Sequence, residues 1–361
     1  MADAQGRKKV FAVGLIAGIC SLILLMFALE IIPPIPMLTP TPQKQYYNGT
    51  KPKVILFWTK FFGLNHWGFD PLGTVPFERL KDCPVVCEMT DQRSRLKEAD
   101  VIAFHALELG DRPQFKLPNQ RWLLNMMESP CYYDLKHLKN WKGVFNWTMT
   151  YRADSDFIAN YSELKPMTTT KKRNYSAIMS LKSKKVAWFV SNCNTPGKRE
   201  KYVKELQRYI PVDIYGACGP MKCPAHTPCE KHIYETYKFY LSFENSLANY
   251  YITEKYFKTL KHDIVSVVRS GVNYSFYGIK PDWFIDARKF KTPKDLANFL
   301  IEIDKDDSRY IRYLRSKENV TSVDEYYEWC NVCKSINNDT DSRTYYDDIL
   351  QWWQQNPCIP P

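Results

Sequence analysis

The stretch from Tyr237 to Lys255 carries the densest set of groups suited to an activated, anionic substrate. It reads as a strand ending in Glu244 and Asn245, a short turn, and a helix whose first turns carry Tyr251, Glu254 and Lys255. A β/α unit of this kind lines its ligand end with hydrogen-bond acceptors and a cation, where helix N-termini also offer N–H groups to anions. Neither Gly-x-Gly-x-x-Gly nor Gly-x-x-x-x-Gly-Lys-Ser/Thr occurs in the chain, so a phosphate would have to be held by side chains. Asp154-Ser155-Asp156 and Asp304-Lys305-Asp306 have the Asp-x-Asp spacing of a divalent-cation site, but the pattern is short and the second copy lies in a helix-like charged stretch. Lys171-Lys172-Arg173 and Lys182, Lys184 and Lys185 read as a solvated linker between domains. His105 reads as a packed residue at a strand end.

The elements that must position these groups alternate. Buried strands are predicted at Val54–Trp58, Val85–Met89, Val101–Phe104 and Trp122–Leu124, then at Val186–Val190, Val212–Tyr215, Phe239–Phe243 and Ile264–Val268. Helical spacing covers Tyr202, Val203, Leu206 and Tyr209, then Tyr251 to Leu260, Lys294 to Ile303 and Ser308 to Ser316. Alternating β and α segments imply parallel sheets. Two such α/β domains facing each other across a cleft would suit an activated donor in one and an acceptor in the other. The tail from Ser342 to Pro361 carries a helix-compatible apolar stripe, expected to pack across the two lobes.

The 361 residues, with 45% hydrophobic and 25% charged, exclude a disordered, collagenous or multi-span membrane chain. Lys and Arg number 50 against 39 Asp and Glu, a net charge of +11 that favours anionic partners. After Arg7, Lys8 and Lys9 an uncharged run extends from Val10 to Leu29, roughly 20 residues and enough to cross a bilayer as a helix. No small-x-small cleavage site follows, so an uncleaved anchor over 10–32 is expected, with residues 1–9 cytosolic and the remainder lumenal. Pro33, Pro34, Pro36, Pro40 and Pro42 mark an extended stem over 33–50. Glycosylation sequons at Asn48, Asn146, Asn160, Asn174, Asn273, Asn319 and Asn338 and an even ten cysteines beyond Cys20 agree with a lumenal body, which also makes nucleic acid an unsuitable partner. Structural disulfides are expected rather than zinc, with Cys330–Cys333 the favoured pair.

The string from Tyr237 to Lys255 closely resembles the donor-binding motif of the α1,3-fucosyltransferases, inverting GT-B enzymes that use GDP-fucose. The resemblance extends over most of the lumenal body. Ile55 to Trp58, Ala99 to His105, Gln120 to Trp122, Met127-Glu128-Ser129-Pro130, Phe145 to Thr148, Tyr151 to Asp156 and Trp188 to Asn192 match the family's elements in order. It implies a GT-B pair of Rossmann-like domains, here 51–180 on the acceptor side and 181–340 for GDP-fucose, with 341–361 as a tail. It also implies Glu128 as general base, Arg199 and Lys255 on the pyrophosphate, and Asn245, Tyr251 and Glu254 on the nucleotide-sugar. His66 and Trp67 are expected in the acceptor pocket. No obligatory metal is expected, stimulation by Mn²⁺ or Mg²⁺ being left open.

Ile214 to Gly219 with Cys223-Pro224, and Tyr326 to Cys333, resemble the invertebrate and plant-type branch that fucosylates the innermost GlcNAc of N-glycans at O3. The alternatives are a Lewis-type enzyme acting on antennal GlcNAc and, further off, a non-catalytic lumenal glycan-binding protein. A Golgi membrane location, single-pass type II, follows from the same resemblance and the topology above.

Overall fold

The computed structural model describes residues 51–69, 72–73, 83–167, 173–224, 228–323, 327–338 and 345–361. The expected cytosolic tail, anchor and stem lie outside the described residues, and among those described no helix is long and apolar enough to cross a membrane.

Two parallel sheets organise the body. The first contains β1 (Lys53–Phe57), β2 (Cys87–Thr90), β3 (Val101–His105), β4 (Arg121–Met126), β5 (Trp147–Thr150) and β6 (Phe157–Ile158), in the order β2-β1-β3-β4-β5-β6. β7 (Glu163–Pro166) follows outside the sheet. The second sheet begins after α1 (Tyr175–Leu181) and runs through β8 (Lys184–Phe189), α2 (Arg199–Leu206), β9 (Val212–Tyr215), α3 (Cys229–Thr236), β10 (Tyr237–Phe243), α4 (Glu254–Leu260), β11 (Val265–Arg269) and β12 (Phe284–Asp286). Its order is β12-β11-β10-β8-β9. Then come α5 (Pro293–Lys305), α6 (Asp307–Ser316), β13 (Val320–Val323) paired antiparallel with β7, α7 (Tyr327–Asn338) and α8 (Ile349–Gln354).

The central strands β3, β4 and β10 are buried at every position, as expected of parallel strands covered on both faces. That is why they are visible as near-continuous apolar runs. Among the described residues the first lobe crosses over through 3-10 turns, at Arg93–Arg95, Ala106–Glu108 and Lys136–Trp141, whereas the second crosses over through α2, α3 and α4, with a 3-10 turn at Tyr274–Tyr277 between β11 and β12. Thr292 and Asp295 form a capping box with Pro293 at the first helical position, so the start of α5 is written locally. The ammonium of Lys317, buried after α6, donates to the carbonyls of Thr259 (2.6 Å), His262 (2.9 Å) and Ile264 (2.8 Å), closing the C-terminal end of α4.

Two segments near the C-terminus tie the lobes together. α7, which the sequence division assigns to the second domain, packs into the first: Trp329, Cys330, Val332, Cys333 and Ile336 join the core that holds Ile55, Phe57 and Trp67. The tail puts Ile349 and Trp353 into the opposite face of the first sheet. Arg152 donates to the carbonyls of Trp352 (2.6 Å) and Trp353 (2.9 Å), and the tail then reaches the second lobe through Ile359 N–H to Leu247 O at 2.8 Å.

The ten cysteines form five bridges: Cys83–Cys330, Cys87–Cys333, Cys131–Cys358, Cys193–Cys218 and Cys223–Cys229. The expected Cys330–Cys333 pair is therefore corrected. Three residues apart on α7, these two thiols lie on one helix face, one turn apart, and each meets a separate cysteine of the Cys83/Cys87 segment. Once one bridge is closed, the second removes only the entropy of a small extra loop. Losing either one by paired Ser substitution should cost about 2 kcal/mol, and losing both well over twice that, read from denaturant midpoints. Equal, additive losses would contradict a double clamp.

Candidate active site

Glu128 follows β4 by two residues, and Asn245 follows β10 by two, so both leave the carboxyl ends of parallel strands. These are the ends where open α/β sheets bind ligands. The geometry brings them together across the lobes. Glu128 Oε2 accepts from the Tyr251 hydroxyl at 2.9 Å and from Asn245 Nδ2 at 3.2 Å. Both bonds use one oxygen, and no partner occupies Oε1 among the described residues. Tyr251 is 1% exposed and packs edge-on against Tyr151, at 5.0 Å between ring centres. Burial, with the Glu128 charge among further causes, raises the Tyr251 pKa well above its ordinary value, so its hydroxyl stays a donor. Tyr161 donates to the Met127 carbonyl at 2.7 Å, fixing the backbone just before Glu128.

The second lobe contributes a charged cluster beside this contact. Glu244 is buried and accepts from Thr253 N–H at 2.9 Å and from its hydroxyl at 2.9 and 3.0 Å. Lys255 Nζ lies 3.4 Å from Glu244, 3.1 Å from Glu254 and 2.8 Å from Thr253 Oγ1. Burial raises the Glu244 pKa, opposed by Lys255. Burial works against the Lys255 charge, but Glu244 and Glu254 outweigh it and the pKa is raised. For Glu254, burial is outweighed by Lys255 and the pKa falls.

Arg199, the first residue of α2, donates to the carbonyls of Phe243 at 2.8 Å and Asn192 at 3.4 Å, and burial lowers its pKa. Its Nε and the Asn245 Oδ1 are buried without a partner among the described residues. The approach of α2 to β10 requires Gly197: its N–H donates to Asn245 O at 2.8 Å, and a Cβ there would lie 2.9 Å from that same oxygen. Asn245 and Tyr251 thus contact Glu128 directly, while Arg199, Glu254 and Lys255 gather around Glu244 in the second lobe.

On the first-lobe side Glu128 borders a cavity of about 310 Å³. Trp67 lines it, with its indole N–H donating to Thr59 O at 2.6 Å. His66 does not line it. The chain turns sharply at Trp67 and Gly68, with φ of 53° and 83°, and His66 Nδ1 accepts from Gly68 N–H at 3.2 Å. His66, expected in the acceptor pocket, thus supports the turn beside this cavity rather than its wall. The lining groups that sequence reasoning did not single out as site residues are Asn125, Asn160, Tyr161 and Glu328. They come from three separate segments, Asn160 and Tyr161 being neighbours, so no single spacing joins them. His105 is fully buried, pairs with Glu108 at 3.0 Å, and burial pushes its pKa below the ordinary histidine value.

The Asp-x-Asp triplets have structural partners. Asp154 takes a two-point contact from Arg152, and Asp156 accepts from Thr148 N–H (2.7 Å) and the Tyr346 hydroxyl (2.8 Å). Asp304 pairs with Lys185 and Lys238, and Asp306 caps α6. Among the described residues no group of three or more His, Cys, Asp or Glu could hold a metal ion.

The sequons divide by burial. Asn146 is 3% exposed and its Oδ1 accepts from Lys116 and from Trp122 N–H, so it serves the fold and is not presented for glycosylation. Asn160 is half-buried on the cavity wall. Asn174, Asn273, Asn319 and Asn338 are exposed, and Asn48 lies outside the described residues.

Residues 179–352 match the family described as glycosyltransferase family 10 (fucosyltransferase) C-terminal, and residues 50–162 match fucosyltransferase, N-terminal. The chain is 33% identical to alpha-(1,3)-fucosyltransferase C of Drosophila melanogaster, covering 86% of this chain and 79% of that protein. It is 35% identical to glycoprotein 3-alpha-L-fucosyltransferase A of Drosophila melanogaster, over 88% of this chain and 63% of the relative. A 3-galactosyl-N-acetylglucosaminide 4-alpha-L-fucosyltransferase of Bos taurus is 36% identical over 84% of this chain and 82% of its own. A solved α1,3-fucosyltransferase superimposes with a TM-score of 0.56 at 14% identity, over 84% of this chain and 93% of that one, which carries the fold. The chain belongs to glycosyltransferase family 10, the fucosyltransferases, and is an enzyme of that family.

Proposed function

We propose that this enzyme transfers L-fucose from GDP-β-L-fucose to O3 of a GlcNAc residue on glycoprotein glycans with inversion, the core GlcNAc of N-glycans being the acceptor. The observation that carries the reading is the Glu128 carboxylate, held through one oxygen by Tyr251 and Asn245 at the edge of a mostly apolar cavity. The second oxygen is the atom that takes the proton of the acceptor hydroxyl as it attacks the anomeric carbon. The bond to the GDP β-phosphate oxygen breaks on the opposite face, and Arg199 and Lys255 stabilise the charge that departs with it. A diphosphate leaves as an anion and needs no second carboxyl to protonate it, unlike the leaving group of a glycosidase. Glu254, beside Lys255, faces positive charge developing on the sugar.

The donor assignment is supported by similar solved enzymes, described as α1,3-fucosyltransferases with GDP and with GDP-fucose. A core acceptor is supported by the rear-lobe loop that Cys193–Cys218 and Cys223–Cys229 close, in the segment resembling the core-modifying branch. The Lewis-type reading rests on relatives of that kind at 34–36% identity, comparable to the insect proteins. Five disulfides suit an oxidising lumen, in keeping with a type II protein of the Golgi membrane anchored through residues 10–32.

Glu128→Gln should lower turnover by about 10²–10⁴-fold while GDP binding, measured by calorimetry, stays nearly unchanged. Normal turnover would remove the base assignment. Incubation of the protein with GDP-fucose and defined N-glycans should put the added sugar on the innermost GlcNAc; label confined to antennal GlcNAc would establish the Lewis-type alternative instead.

A further inference from the structure

The cavity beside Glu128 has a wall supplied from far along the chain. Glu328 stands in the first turn of α7 and lines the cavity together with Trp329, which follows it. Trp329 is locked edge-on against Phe57 (5.2 Å), Trp67 (5.8 Å) and Phe69 (6.1 Å), and Cys330 and Cys333 bolt the same helix to the first lobe. Glu328 is therefore held on a rigid element and lines a space whose walls are mostly aromatic and methionine side chains. Desolvation is the chief cause that pushes its pKa up to about 8, helped by the charge of Glu163. Its carboxyl would be mostly protonated near neutrality, and so able both to donate and to accept.

A second group faces the same space. Asn125, 3% exposed near the end of β4, spends its Nδ2 on the Met149 carbonyl at 3.1 Å, and its Oδ1 is buried with no partner among the described residues. A buried acceptor left unpaired is destabilising, and a ligand bringing a donor would relieve that cost. The cavity therefore matches a substituent with an apolar end and a polar amide, set beside a hydroxyl that can reach Glu128.

Resting on the acceptor reading above, we infer that Glu328 is a specificity-determining residue that recognises the acetamido group of the acceptor sugar, with Asn125 as a second contact. Glu328 takes no part in the proton transfer. It selects N-acetylated sugars by pairing with the amide while the aromatic walls cover the acetyl methyl group.

The test compares two acceptors differing only at this group, one ending in GlcNAc and one in glucose, on the wild-type protein, Glu328→Ala and Glu328→Gln. In Glu328→Ala, KM for the GlcNAc acceptor should rise about tenfold, with KM for GDP-fucose and kcat nearly unchanged, and the preference for GlcNAc over glucose should shrink by the same factor. Glu328→Gln, which also donates and accepts, should keep both values within about threefold of wild type. Equal loss on the two acceptors, no change in Glu328→Ala, or a Glu328→Gln variant as impaired as Glu328→Ala would each overturn the inference while leaving the transferase reading intact. A wild-type protein that transfers to neither GlcNAc nor any glycan would overturn the transferase reading, and this inference with it.

Discussion

A carboxylate that grows from one sheet but is oriented by hydrogen bonds from the other constrains everything around it. Glu128 can receive Tyr251 at 2.9 Å and Asn245 at 3.2 Å only if the carboxyl ends of β4 and β10 meet. Hydrogen bonds of this kind fail within a few tenths of an ångström, so the two lobes must be fixed closely relative to each other. The C-terminal segments supply that rigidity. Arg152 grips the α8 backbone, Cys131–Cys358 bonds the first lobe to the tail, and Ile359 pairs with Leu247 two residues beyond Asn245. Residues 48–361 accordingly form one compact unit.

The two sides of the junction are chemically unlike, and the contrast gives the chemistry its direction. The first lobe offers a largely apolar cavity with a few acceptor oxygens, suited to a neutral sugar. The second sets the buried Arg199 and Glu244 beside the partly buried Lys255 and the more exposed Glu254, a mutually compensated group. Burying such charges is tolerable because each has a counter-charge or a hydrogen bond, and the same low dielectric strengthens whatever interaction an incoming anion makes. The proposed proton acceptor and the groups proposed to stabilise the departing anion thus come from different lobes.

Much of this was legible in the residue order. β3, β4, β8, β10 and β11 are apolar runs because both faces are covered, and α5 announces itself through Thr292, Pro293 and Asp295. Glu128, Asn245 and Tyr251 were visible through their resemblance to a known pattern, and the structure adds that they touch. Short polar strands such as β5, reading Trp-Thr-Met-Thr, and the β7–β13 pair were missed, since their pairing is settled by distant partners. Cysteine pairing was illegible for the same reason: Cys330 and Cys333 are neighbours in sequence, yet each bonds a residue more than 240 positions away. Glu328 lay within a quoted motif, but nothing local to it says that α7 folds back to wall the cavity of the first lobe. Nothing local to His66 showed that its ring would accept from Gly68 N–H in the turn at Trp67.

The most direct measurement of the central contact is a double-mutant cycle on turnover between Glu128→Gln and Tyr251→Phe. If the tyrosine acts by orienting the base, the double variant is no slower than Glu128→Gln alone, because the hydroxyl has nothing left to position. If the two losses multiply, Tyr251 works independently of Glu128, and the account of a base held across the lobe junction is wrong.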